Sequence, residues 1–136
     1  MYKHILVPTD GSKLAEKGVK QGIKLAASLG AKVTAVYVIP PRPAPLYSAD
    51  KKQKVKAAKK ALALADIEAQ TAGVPCETRI VSAARPHAGI LRAARAAKCD
   101  AIAMASHGRG AVGGLILGSE TARVLSHSRL PVLVTR

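Results

Sequence analysis

The residues whose types and spacing could do chemistry are gathered in one run, Ala105 to Ser119. Ser106, His107 and Arg109 stand there among five of the chain's 11 glycines. Glycine lets a backbone approach a ligand closely and adopt φ > 0. The run follows an apolar stretch, Ala101 to Ala105, that reads as a buried strand, and it precedes a helical pattern from Glu120 to Leu125. A strand that opens through glycines into a helix start offers unpaired N–H groups and the positive end of a helix dipole. That is chemistry for holding an anion, and phosphate is its usual guest. The run supplies no Walker lysine, no assigned base and no water-positioning acid for phosphoryl transfer. Binding with slow or negligible turnover is therefore the expectation.

Two familiar motifs are imitated and fail. Gly108-Arg109-Gly110-Ala111-Val112-Gly113 matches the form of a dinucleotide fingerprint. That fingerprint needs an acid about 20 positions on to hold a ribose. Ser126-His127-Ser128-Arg129-Leu130 supplies none. Gly113 to Gly118 has a Walker A separation, but Ser119-Glu120 follows where Lys-Ser/Thr is required.

The elements that must position this run alternate. Ile5-Leu6-Val7 is a strand closed by the turn Pro8-Thr9-Asp10-Gly11-Ser12, and Ser12 can cap the helix running to Leu29. Lys32 to Ile39 is the second strand, ending in the proline-rich segment Pro40 to Pro45. A helix from about Ala49 to Ala72 buries Val55, Ala58, Leu62, Ala65, Ala69 and Ala72. Cys76 to Val81 is the third strand, followed by a helix opening at Pro86 with Ile90, Leu91, Ala94 and Ala97 inward. Cys99 to Ala105 is the fourth strand; Val132 to Val134 is the last. Strands alternating with helices imply a parallel sheet with helices on both faces. Ligands of such sheets bind beyond the carboxyl ends of the strands. The turn at Pro8 to Ser12, the end of the second strand at Val38 and the glycine run all leave such ends.

The 136 residues suit one domain with a single core. Aromatics are 2%, with no Trp or Phe, which argues against recognition by aromatic stacking. The net charge of +14 favours anionic partners without choosing among them. The lysines between 51 and 60 are spread around their helix, so a solvated face is expected there and nucleic acid is not an expected partner. Cys76 and Cys99 have no CxxC spacing and read as reduced core thiols. The histidines have no metal-ligand spacing, so no protein metal site is expected; any Mg²⁺ or Mn²⁺ would arrive with phosphates. No signal peptide or span of membrane length is present, and a cytoplasmic location is expected.

The opening Ile5-Leu6-Val7-Pro8-Thr9-Asp10-Gly11-Ser12, the block Met104-Ala105-Ser106-His107-Gly108, and Leu117-Gly118-Ser119 followed by Pro131-Val132-Leu133-Val134 resemble the universal stress protein family over essentially the whole chain. Its ATP-binding branch carries G-x-x-G, nine residues, then G-[S/T]. Here Ala105-x-x-Gly108, the residues Arg109 to Leu117 and Gly118-Ser119 keep that spacing with alanine first. The resemblance implies a three-layer α/β sandwich, a five-stranded mainly parallel sheet in the order 3-2-1-4-5, of the Rossmann-like adenine nucleotide alpha hydrolase type. It implies ATP or another adenine nucleotide such as AMP. Gly108, Arg109, Gly118 and Ser119 would meet the phosphates, Asp10 the ribose and Val38 the adenine. Pro8 and Thr9 would lie nearby, and His107 beside the phosphate path. It also implies a homodimer through the strand Val132 to Val134 and a nucleotide-dependent switch in the stress response. Two readings stay beside this one: a true ATPase, and an interaction module whose nucleotide site is vestigial. Ala105 costs about 1–2 kcal/mol if its position needs φ > 0, and nothing if it simply ends a strand.

Overall fold

The computed structural model describes residues 1–41, 47–107 and 117–136. Among the described residues nine elements alternate: β1 (His4–Pro8), α1 (Lys13–Leu29), β2 (Lys32–Ile39), α2 (Tyr47–Ala72), β3 (Cys76–Ser82), α3 (Pro86–Ala96), β4 (Ala101–Ala105), α4 (Ser119–His127) and β5 (Val132–Thr135). The sheet order is β3-β2-β1-β4-β5. Every neighbouring pair is parallel, so the sheet is parallel throughout rather than mainly so.

The sheet sits between two apolar layers because β1, β2 and β4 carry side chains buried on both faces. On one face Ile5, Val7, Val33 and Ala103 meet Val19, Ile23 and Ala26 of α1 and Ala58, Leu62 and Ala65 of α2. On the other, Leu6, Val36, Ile102 and Met104 meet Ile90, Ala93 and Ala94 of α3 and Val124 of α4. Alanine-rich helices approach the strands closely, and two glycines of α1 bring it closer still. A Cβ on Gly18 would lie 2.9 Å from the Ala105 main-chain nitrogen, and one on Gly22 would lie 2.8 Å from Val7 Cγ2.

The structure differs from the sequence expectation in several places: α2 begins at Tyr47 rather than about Ala49, and Val55 is only half-buried. Cys99 is not in β4: its N–H donates to Ala94 O at 2.9 Å, and Lys98 takes φ 58°, so Lys98-Cys99 forms the turn that ends α3. Ala72 is exposed, because the buried stripe of α2 stops at Ala69. Leu91 and Ala97 are only half-buried, and Gly89 and Ala93 take the inward places on α3. Cys76 is half-buried at the outer edge strand β3, while Cys99 is buried.

Candidate functional site

Strand order reverses at β1, which has β2 on one side and β4 on the other. The chain leaves these two strands toward different helices, and the gap between the departing loops is where open parallel sheets bind ligands. A cleft of about 670 Å³ occupies that place. Pro8, Thr9, Asp10 and Val38 line it from one side; Ala105, His107, Gly118 and Ser119 line it from the other. Gly108 and Arg109 lie outside the described residues.

The turn after β1 is locked by its own side chains. Thr9 Oγ1 accepts from Gly11 N at 3.2 Å, and Asp10 Oδ1 accepts from Ser12 N at 2.9 Å. Gly11 takes φ 82°, which favours glycine. Ser12 caps α1, its Oγ accepting from Ala15 N at 3.2 Å. Asp10 thus serves the turn and lines the cleft at once.

Val38 contributes through its main chain. The β1–β2 register ends at Pro8 against Val36, and Thr9 N donates to Val36 O at 2.9 Å. Residues along a strand direct their N–H and C=O alternately to its two sides. Val36 faces β1, so Val38 does too, at a height where β1 has already turned away. Ile39 faces the other neighbour and accepts from Ala83 N at 3.1 Å. The Val38 N–H and C=O therefore open side by side onto the cleft.

The opposite wall is the start of α4. Gly118 is its N-cap and gives no side-chain cap. The amides of its first turn have no partner within the helix, and Ser119, Glu120 and Thr121 line the cleft. Gly118 N donates to Ser106 O at 2.8 Å. A Cβ at 118 would fall 2.7 Å from His107 Cβ, so close approach rather than dihedral freedom requires glycine here. The Ser106 hydroxyl pairs with His107 Nδ1 at 2.7 Å, and Ser106 N donates to Thr135 O at 2.8 Å, so β5 steadies the imidazole.

Ala105 is paired with Thr135 in the β4–β5 register, and its carbonyl accepts from Thr121 Oγ1 at 3.1 Å. Lys98 alone among the described non-glycine residues has positive φ. Ala105 is an ordinary strand residue, and its methyl group carries no backbone penalty.

The cleft also contains groups the sequence did not single out. Asp50, Gln53 and Lys54 reach it from α2, with Lys54 Nζ 3.8 Å from Asp50 Oδ2. Pro86 and Ile90 line it from α3. Three acids among the described residues line the cleft: Asp10, Asp50 and Glu120. Glu120 is fully engaged. Its Oε2 accepts from His87 N at 2.8 Å and pairs with His87 Nδ1 at 2.9 Å, and its Oε1 accepts from Arg123 at 2.9 Å, with Arg85 Nε at 3.7 Å. Burial opposes its ionisation, but these donors prevail and hold the carboxyl below its usual range. No sequence signal pairs residues this far apart; only the N-cap of α3, Arg85, which has no capping side chain, hints that a cap must come from elsewhere.

The whole chain, residues 1–136, matches the model of the Universal stress protein family. The chain belongs to the universal stress protein family. A universal stress protein of Thermus aquaticus is 34% identical over the full length of both chains. The structure of a universal stress protein from Lactobacillus plantarum superposes with a TM-score of 0.88 at 27% identity, covering 99% of this chain and 98% of that one. A universal stress protein solved in complex with cAMP superposes with a TM-score of 0.80 at 26% identity, covering 99% and 97%. The five-stranded order and the helices on both faces are those of this family's fold.

Proposed function

We propose that the cleft binds an adenine nucleotide, ATP in the first instance, and that the protein works as a nucleotide-dependent switch with slow or negligible hydrolysis. The observation that carries this reading is the paired Val38 N–H and C=O at the open end of β2. Adenine presents an acceptor, N1, beside a donor, the N6 amino group. Guanine presents the reverse order at the same edge, so the pair favours adenine when the ribose beside Asp10 fixes which way round the base enters. The phosphates would then lie at the start of α4, where Ser119 to Thr121 supply helix-terminal amides, with His107 beside them and Asp10 near the ribose. Pro8 and Thr9 would close the floor. Gly108 and Arg109 are assigned to the phosphates by family resemblance alone. The cAMP complex of a relative supports a nucleotide in this fold.

No group of three or more His, Cys, Asp or Glu among the described residues could hold a metal ion. Mg²⁺ or Mn²⁺ would enter on the phosphates, whose oxygens and waters suit such ions, with Asp10, Asp50 and Glu120 the carboxylates that line the cleft. Partners reading the bound state, a homodimer through β5 and a cytoplasmic location complete the proposal. No helix among the described residues is long and apolar enough to cross a membrane.

Calorimetric titration of nucleotide-stripped protein with Mg-ATP and Mg-GTP tests it. Micromolar affinity for ATP, about −8 kcal/mol, with much weaker GTP binding is the expected result. Equal affinity for the two would remove the Val38 argument, and no binding to either would remove the site. A phosphate-release assay is expected to give turnover well below about 1 s⁻¹, the low end for ordinary enzymes.

A further inference from the structure

The strongest feature outside the cleft is its charge. A net charge of about 2–8 suffices to keep a small domain soluble, and this chain carries +14. The fold also sorts the charge by place. On α1, Lys13, Lys17, Lys20 and Lys24 recur at helical spacing, all exposed, directly opposite the buried Ala15, Val19, Ile23 and Ala26. They form one line of about 16 Å at 1.5 Å per residue. On α2, Lys52, Lys56, Lys59 and Lys60 are exposed opposite the buried Ala58, Leu62 and Ala65. Both helices cover the same face of the sheet and touch each other, with Lys20 Nζ 3.7 Å from Glu68 Oε1. The sequence places the 51–60 run on a solvated helix by itself; the fold sets a second lysine line on the same side of the molecule.

We infer that this α1–α2 face is a docking surface for the phosphate backbone of a nucleic-acid duplex. Charge complementarity decides the partner. Along α2 no acid occurs from 51 to 65, and α1 carries Glu16 alone. Among the described residues no aromatic or large apolar side chain stands between these lysines on the exposed side; exposed Leu64 and Ile67 lie beyond Lys60, near Asp66 and Glu68. A membrane-surface helix needs apolar groups interleaved with its cations, and a single-strand site needs stacking platforms. Lysines on a rigid two-helix face, with neither, fit a duplex whose backbone presents one negative charge per roughly 1.7 Å of axis. The contact reads charge and not sequence.

The test is fluorescence anisotropy with short labelled DNA and RNA duplexes across a salt series. About eight phosphate contacts would lower affinity roughly ten-thousandfold between 50 and 200 mM salt. Replacing Lys13, Lys17, Lys20 and Lys24 by Gln should lower the slope by about one for each lysine, and the same holds for Lys52, Lys56, Lys59 and Lys60. A charge-matched control replaces Lys3, Arg95, Lys98 and Arg129, all exposed and outside α1 and α2. Equal weakening by the control set would show that net charge and not this face binds, and would overturn the proposal. So would tighter binding to single strands than to duplex. So would retention on vesicles containing an anionic phospholipid at a salt concentration that releases the duplex. Circular dichroism of each variant separates lost binding from lost fold.

Discussion

His4 sits at the start of β1, only 8% exposed, with Nε2 2.7 Å from Thr34 Oγ1. Burial, followed by the positive charge of Lys32, lowers its pKa below the ordinary 6.5. The unfolded chain therefore takes up the proton first as pH falls. The stability linked to His4 is complete above about pH 6.5 and is lost progressively below it. Denaturant titrations between pH 8 and pH 5 should show this slope, and His4→Gln should flatten it. Burial pushes the Cys99 thiol up to about 11. Alkylation of Cys99 should therefore wait for unfolding. At the cleft, Gly18→Ala should destabilise the protein by about 1–3 kcal/mol, the usual cost of overpacking. The added methyl meets the Ala105 main-chain nitrogen, so adding Ala105→Gly should not restore the loss. A double-mutant cycle by chemical denaturation reads this directly. Such residues mark the limit of the sequence. Gly118, Ser119 and Asp10 were named by family resemblance, and all three line the cleft. Val38 was named by the same resemblance, but the direction of its main-chain groups follows from the pairing with β1, and the atom that Gly18 meets follows from packing, neither of which residue type encodes.

At the scale of elements, α3 and α4 are joined by Glu120, which supplies the cap that Arg85 does not give α3. Glu120→Ala should remove this cap and cost about 0.5–2 kcal/mol, the range for lost N-caps. Amide exchange at His87 to Gly89 should accelerate more than exchange in α1. The carboxyl titrates below its ordinary 4.5, so its contribution is present above that pH and lost as pH falls through the folded value. The acid loss therefore has two stages, His4 first and Glu120 second, and each variant should erase only its own. Element order and every helix were legible, because apolar strands alternate with amphipathic helices; the sheet order followed only from the family resemblance. What the periodicity could not show is where a helix hands over to a strand: Cys99 looks like strand because it is apolar beside Ala101 and Ile102, yet the Lys98 turn claims it. The α3–α4 junction was equally hidden, since His87 and Glu120 are brought together only by the packing of two helices on one face.

For the whole molecule, the two edges of the sheet differ in a way that bears on assembly. β3 closes one edge with Glu77 and Arg79 paired at 2.8 Å, charges that discourage strand addition. β5 closes the other with the uncharged run Val132-Leu133-Val134-Thr135, where Leu133 is 46% exposed and Leu125 of α4 is 42% exposed. Unpaired main-chain groups beside exposed leucines favour pairing with a second copy of the same strand. An edge-to-edge dimer would cover both leucines and leave the cleft of each copy at the carboxyl ends of its strands. It would also involve Thr135, whose carbonyl holds Ser106 and through it His107. Light scattering at micromolar concentration should therefore give a dimer mass. Leu133→Lys should give a monomer, because a cation buried at a paired edge is costly. If the monomer binds Mg-ATP less tightly than the dimer, the β5 edge supports the site through Thr135. Equal binding would confine β5 to assembly, and a monomer mass for the unaltered protein would end the argument for this edge altogether.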